Sequence, residues 1–293
     1  MTNHLSAIAR SGLLVSVNVS TYSGRKQDKR TQAEVVSAKG SGSARAASVY
    51  KNLFSDCAEL DSIVKFQARA RSRHYSMTLP WNDNGLRLLP ARSLLEYKAE
   101  MNKCADEFGL LVDKFLDKYD ILVSAAAFKL GTLFDRAEYP LREQVARRFS
   151  FDVDFTPLPT AGDFRVDVEN EALAELAQEY DKRMASLLAG ALQDAWTRMY
   201  VVLARLKDRL TLDDEGKRKT FHATTVTNAQ ELCDTLTQLN VTNDPVLEAA
   251  RQKLEEALMG VQPEVLRKEE GERLVVLQKV SSILDAFDFG DVE

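Results

Sequence analysis

The sequence predicts a mostly α fold with a small β element (α+β), in which long antiparallel helices serve as the scaffold. Three observations lead there. Two long stretches repeat apolar residues at alternating spacings of four and three. One short run alternates strictly between apolar and polar. Near the C-terminal end, prolines stand where short helices would begin. With 293 residues, of which 45% are hydrophobic, the chain is long enough to bury one or two cores.

The first element is the run LLVSVNVSTY (13–22), which sets Leu13, Val15, Val17 and Val19 against Leu14, Ser16, Asn18 and Ser20. Period two marks a half-buried strand, and Gly24 is available for the turn after it. A second strand or a helix follows through 32–39. GSGSARAAS (40–48) reads as a small, flexible, cationic loop. Residues 59–75 have helical spacing, and TLPWNDNGLRLLP (78–90) breaks it with two prolines and a turn-prone NDNG.

A long helix is expected from about Ala91, because Tyr97, Met101, Cys104, Phe108, Leu111 and Phe115 form a heptad-like seam. FDVDF (151–155) and FRVDV (164–168) read as a β-hairpin. The longest periodic stretch is 170–212, where Leu173, Ala177, Tyr180, Met184, Leu187 and Ala191 keep the rhythm and Met199, Leu203, Leu206 and Leu210 extend it. Forty helical residues span about 60 Å, so this helix should pair with the 91–120 helix or with another subunit. Three helices follow, near 227–239, 245–259 and 263–287, with Pro245 and Pro263 near two of the starts. The resulting partition is a basic region over 1–90, a long-helix scaffold over 91–220, C-terminal helices over 221–285 and an acidic tail over 286–293.

No run of 18 apolar residues occurs, so no membrane partner is expected. The N-terminus lacks the pattern of a signal peptide. Cys57, Cys104 and Cys233 are odd in number and far apart, which suits neither a disulfide framework nor a zinc site. These features point to a reducing cytoplasm. No phosphate loop, dinucleotide fingerprint, zincin helix or nucleophile elbow is present, and no cofactor is expected. Asp152, Asp154, Asp163, Asp167 and Glu169 could hold Mg²⁺ for phosphoryl chemistry. The preferred reading of Asp152 and Asp154 is the solvent side of a strand. A non-enzymatic protein is expected.

Charge is distributed unevenly. Residues 1–98 hold 15 Lys and Arg against 7 Asp and Glu, a net of +8, whereas the whole chain carries −5. A basic end on an acidic chain suggests a polyanion contact. Its first part is Tyr22 with Arg25, Lys26, Lys29 and Arg30. Its second is Lys39, Arg45 and Lys51 around the flexible loop, with Tyr50 nearby. Its third is the helix over 59–76, where Lys65, Arg69 and Arg73 recur every four residues with Arg71 beside them. Like charges at that spacing cost about 0.2–0.5 kcal/mol per pair in the free helix, and phosphates would relieve the repulsion. Tyr75 and Trp81 follow closely. Cations with interleaved rings suit single-stranded nucleic acid, whose bases stack without regard to sequence, while no duplex-reading motif is recognisable. At the far end, Asp285, Phe287, Asp288, Phe289, Asp291 and Glu293 form an acidic aromatic tail suited to a protein partner.

The segments VSVNVSTYSGRKQDKR, HYSMTLPW, GLRLLP, FDVDFTPLP and GDFRVDV resemble the Drc-like single-stranded-DNA-binding RNA polymerase cofactors of lytic podoviruses, a phage family with a domain of unknown function. The resemblance spans roughly residues 12–212. It implies a mostly helical fold unlike the OB barrel, sequence-tolerant single-stranded DNA binding, a homo-oligomer (dimer or tetramer), a phage RNA polymerase as partner, and action in transcription initiation or replication in the host cytoplasm. Arg25, Lys26, Lys29 and Arg30 match that family's basic segment. The alternative expectation is a helical adaptor for an AAA+ ATPase of the MoxR type, with the basic surface meeting an acidic protein.

Overall fold

Alternating and heptad-spaced apolar residues produce the elements expected of them, with the chain breaks set by local capping. The structure is a computed structural model that describes residues 12–43, 45–82, 85–158 and 170–290, the side chains of 170–173 excepted. In order, the elements are β1 (Gly12–Ser20), β2 (Arg25–Gln27), α1 (Lys29–Ala38), β3 (Tyr50–Asn52), α2 (Ala58–Ser76), β4 (Leu79–Pro80), β5 (Arg87–Pro90), α3 (Leu94–Asp117), α4 (Tyr119–Leu130), α5 (Arg142–Ala146), β6 (Ser150–Pro157), α6 (Asn170–Leu210), α7 (Ala223–Leu239), α8 (Pro245–Leu258), α9 (Pro263–Lys268) and α10 (Glu270–Ala286). Helix, 3-10 turns included, accounts for 65% of the described residues, beside a small antiparallel sheet, so the fold is mostly α.

Local chemistry explains the departures from expectation. Segment 32–39 is helical because Asp28 caps α1, its carboxylate accepting from the Arg30 and Thr31 amides. The helix expected from Ala91 opens as a 3-10 turn and is interrupted at Lys118, so it continues as two helices, α3 and α4. The last expected helix is likewise interrupted, at Glu269. FDVDF lies within β6, which takes an edge of a four-stranded sheet ordered β4-β5-β1-β6. The FRVDV segment expected to pair with it lies outside the described residues. A separate two-stranded ribbon joins β2 to β3.

The chain forms two compact units. One comprises residues 1–16, 75–97 and 154–293, the other 17–74 and 98–153. The chain leaves and re-enters each unit, so boundaries drawn at 90, 220 and 285 do not match them.

In the first unit, β1 and β5 pair from Gly12 opposite Pro90 to Val15 opposite Arg87, and β4 pairs on the other edge of β5. Leu14 and Val15 are both buried. This stretch therefore does not keep the expected one-sided alternation, because a central strand is covered on both faces. Leu14, Leu79, Trp81 and Leu88 share a core with Met199, Leu203, Leu206 and Leu210 of α6. The seam of α6 is satisfied by α7, α10 and β4 within this unit.

In the second unit the core is aromatic. Phe54 makes edge-on or tilted contacts with Tyr22, Phe115, Tyr119 and Tyr139, at centroid distances of 5.4–6.2 Å. The α3 seam packs there too, Phe108 lying 6.2 Å from Phe66 and 5.9 Å from Phe151. The expected pairing of the two long seams with each other is thus replaced, for each, by partners within its own unit.

Several helix ends in the first unit terminate on arginines. The last carbonyls of a helix have no intrahelical donor and carry the negative end of its dipole. At the end of α6, Arg273 of α10 donates to the carbonyls of Arg209 (2.6 Å) and Leu210 (2.8 Å) while only 3% exposed. Burial, with Arg218 nearby, pulls its pKa down, and no carboxylate is among its hydrogen-bond partners. Arg198 likewise closes α2 on the Tyr75 and Ser76 carbonyls, both at 3.0 Å. Arg92 closes α7 on those of Gln238 and Asn240.

Arg273→Met keeps the apolar stem and strands those carbonyls. It should lower the unfolding free energy by about 3 kcal/mol in urea titrations. Arg273→Lys should recover only part, since a single ammonium cannot reproduce the fork. A loss below about 1 kcal/mol for the Met variant would show that water can serve those carbonyls equally well.

Candidate nucleic-acid interface

The ribbon in the second unit brings together the first two basic segments. β2 and β3 pair antiparallel with Arg25 opposite Asn52, Lys26 opposite Lys51 and Gln27 opposite Tyr50. Since side chains alternate along a strand, Arg25, Gln27, Tyr50 and Asn52 share one face and Lys26 and Lys51 the other. Arg25 and Tyr50 are diagonal neighbours, and the guanidinium carbon lies 5.5 Å from the ring centroid. Tyr50 remains 54% exposed, so the arginine steadies a ring that still faces water.

The turn into the ribbon requires Gly24. Its φ is +60°, and a Cβ there would come within 3.2 Å of the Leu60 and Phe54 side chains. The Gly24 carbonyl accepts from the Leu53 amide at 2.7 Å. After the ribbon, the Asp28 amide donates to Val49 O (2.9 Å). The Asp28 carboxylate accepts from the Arg30 and Thr31 amides, each 3.1 Å, and from the Thr31 hydroxyl at 2.8 Å. The backbone and hydroxyl of Thr31 hold that carboxyl below the usual range. Capping therefore seats Lys29 and Arg30 in the first turn of α1, where the helix dipole opposes cations. Both are exposed, Arg30 pairing with Glu34 at 3.4 Å. Lys26, Lys39 and Arg45 are exposed as well.

Other expected contacts are placed differently. Lys51 is withdrawn into an ion pair with Glu138 at 2.5 Å and is not a free surface cation. On α2, Arg69 pairs with Glu107 and Arg73 with Glu100 (3.1 Å), so carboxylates of α3 answer the stripe that appeared self-repelling. Such exposed pairs contribute roughly 0–1 kcal/mol. Lys65 and Arg71 are exposed.

Tyr22 and Trp81 are only 5% and 6% exposed and belong to the two cores, which corrects their reading as stacking platforms. Burial raises the Tyr22 pKa, against the opposing charge of Arg148, whose guanidinium lies 5.5 Å from the ring. Tyr75 is exposed, with Arg87 packed 4.6 Å from its ring centroid. Tyr75 and Trp81 fall in the first unit, and the ribbon and stripe in the second.

The tail is also corrected. Phe289 is buried against Trp196 (5.5 Å) and Tyr200 (5.7 Å), and its carbonyl accepts from Gln193 Nε2 at 2.8 Å. Phe287 packs 6.2 Å from Trp196 with Lys253 over its ring. Both rings therefore belong to the core packing rather than to a free tail that a protein partner could take up. Asp285 and Asp288 are exposed, and Asp291 and Glu293 lie outside the described residues.

Asp152 and Asp154 are exposed on β6. Asp163, Asp167 and Glu169 lie outside the described residues. Burial raises the thiol pKa values of Cys57, Cys104 and Cys233, the last to about 11, which removes the thiolate that nucleophilic chemistry needs.

Two residues with no sequence signal stand out, Glu138 for its pair with Lys51 and Phe128, which is 91% exposed on α4. Tyr50, which the sequence places beside the flexible loop, is among the rings that stay exposed. Comparison with family models, curated proteins and solved structures finds no match for this chain.

The ribbon is fastened to its unit through buried tyrosines. Tyr139 donates to the Leu53 carbonyl at 2.8 Å and Tyr119 to that of Pro140 at 2.7 Å. Burial pushes both phenols up to about 12. A raised folded-state pKa means the folded chain holds protons that the unfolded chain releases near pH 10. Stability from these groups is complete below pH 10 and lost as pH rises towards 12. Thermal unfolding followed across that window, with tyrosinate absorbance alongside, should show the fall, and Tyr119→Phe should make it shallower. An unchanged profile in that variant would remove Tyr119 as a cause.

Proposed function

We propose that the chain binds single-stranded nucleic acid on the β2–β3 ribbon and α1, without catalysing a reaction on it. One observation carries this reading. Arg25, Lys26, Lys29, Arg30, Lys39 and Arg45 are all exposed within one stretch of the second unit, beside a tyrosine held exposed by an arginine. Cations would follow the phosphates while Tyr50 stacks on a base. The family resemblance supports the finer form: single-stranded DNA as ligand, a homo-oligomer, and service as a cofactor to a phage RNA polymerase at promoter opening, in the host cytoplasm.

A second reading, an adaptor for an AAA+ ATPase, is favoured by Phe128 and Ile121. These are exposed apolar side chains on α4 that a phosphate backbone does not call for.

Fluorescence anisotropy of labelled oligo(dT), with a matched duplex and a salt series, tests the first reading. The single strand should bind more tightly than the duplex. Changing Arg25, Lys26, Lys29 and Arg30 together to Ala should flatten the salt slope by about 2–3, at roughly 0.7 per phosphate contact. Tyr50→Leu should weaken binding by about 1–3 kcal/mol and leave the slope alone. Absence of binding by the folded chain at low salt would remove the nucleic-acid reading and turn attention to a protein partner on α4.

A further inference from the structure

Two-stranded ribbons are at best marginally stable by themselves, so something must hold β2 and β3 in shape. Like charges opposite one another disfavour pairing, and this ribbon sets Lys26 opposite Lys51. The compensation comes from the turn before α5. Lys51 Nζ lies 2.5 Å from Glu138 Oε2 and donates to the Leu133 carbonyl at 2.8 Å. The two side chains are only 11% and 19% exposed. Glu138 Oε2 is buried and has no hydrogen bond of good geometry, so the carboxylate depends on the charge of Lys51. The next residue along, Tyr139, hydrogen-bonds Leu53 O and packs edge-on to Phe54 at 5.4 Å. Consecutive residues of one turn thus grip positions 51 and 53–54, from the ribbon face opposite Arg25 and Tyr50.

We propose that Lys51 and Glu138 form the anchor of the binding ribbon. Lys51 is then a positioning residue rather than a phosphate contact, and Glu138 strengthens the binding of a polyanion despite its negative charge. This rests on the single-strand reading above, with one consequence that is independent of it. Where a variant leaves the ribbon ordered in a tenth of molecules, affinity falls about tenfold while the bound state keeps its contacts.

The test uses the full chain and four variants: Glu138→Gln, Lys51→Met, the double change Lys51→Met with Glu138→Leu, and Lys29→Ala. Circular dichroism confirms folding. Oligo(dT) binding is titrated across salt, and hydrogen exchange is read at the Asp28 and Leu53 amides, which donate to Val49 and Gly24. Each single anchor variant should bind about tenfold more weakly with a wild-type salt slope and faster exchange at both amides. The double variant should return close to wild type in both, because an apolar pair can replace a buried ion pair. Lys29→Ala should flatten the slope by about 0.7.

Equal or tighter binding by Glu138→Gln, or a slope in Lys51→Met as shallow as in Lys29→Ala, overturns the proposal. If the wild type does not bind, the single-strand reading fails and exchange alone decides the anchor. Faster exchange in both single variants then upholds it, and unchanged exchange removes it.

Discussion

Helix ends need donors, and much of this architecture follows from where arginines supply them. The 41-residue α6 finishes on Arg273, which is buried and bound to backbone carbonyls. A cation sealed from water without a carboxylate would ordinarily be costly. Here the carbonyls and the dipole of a long helix receive it. The same contact locks α10 against the end of α6. Arg218 repeats the device, reaching the Arg267 and Lys268 carbonyls at the end of α9. Helices that would otherwise meet only through apolar seams are thereby fixed in register along their axes, a direction in which hydrophobic contact is permissive.

Basic residues consequently divide into two populations. Some are spent inside the fold: Arg92, Arg198 and Arg273 on carbonyls, Lys51 on Glu138, and Arg69 and Arg73 on α3 carboxylates. Others face water, among them those in the short stretch from Arg25 to Arg45 and Lys65 and Arg71 on α2. A net charge counted along the sequence sums both populations, but only the second is free to meet a phosphate. The proposed surface is accordingly smaller than the count suggests and lies on the ribbon and α1.

Rings divide in the same way. Tyr22 and Trp81 fill cores, Phe287 and Phe289 dock on α6, and Tyr50 stays outside. Composition does not separate these cases, since each is an aromatic near charged residues. Strand register separates Tyr50, placing it diagonal to Arg25. Tyr22 is drawn inside by Phe54, itself in contact with Tyr119 and Tyr139 from much later in the chain.

Periodicity by itself determined α2, α6, α7 and α8, the strand β1, the breaks at Gly24 and around Pro80, and the mostly α class, because these follow from spacing and from backbone restrictions within a few residues. The exposed cations of 25–30 were legible for the same reason, a short segment between two local signals. Only the tertiary structure decided the rest. Arg69 meets Glu107 and Arg73 meets Glu100 across 38 and 27 residues of chain, and Lys51 finds Glu138 in a different turn altogether. Seams show that a helix has an apolar side but not which neighbour covers it, so α3 and α6 each found partners within their own units. Whether a charge is free or neutralised depends on long-range pairing, and no spacing rule along the chain encodes that.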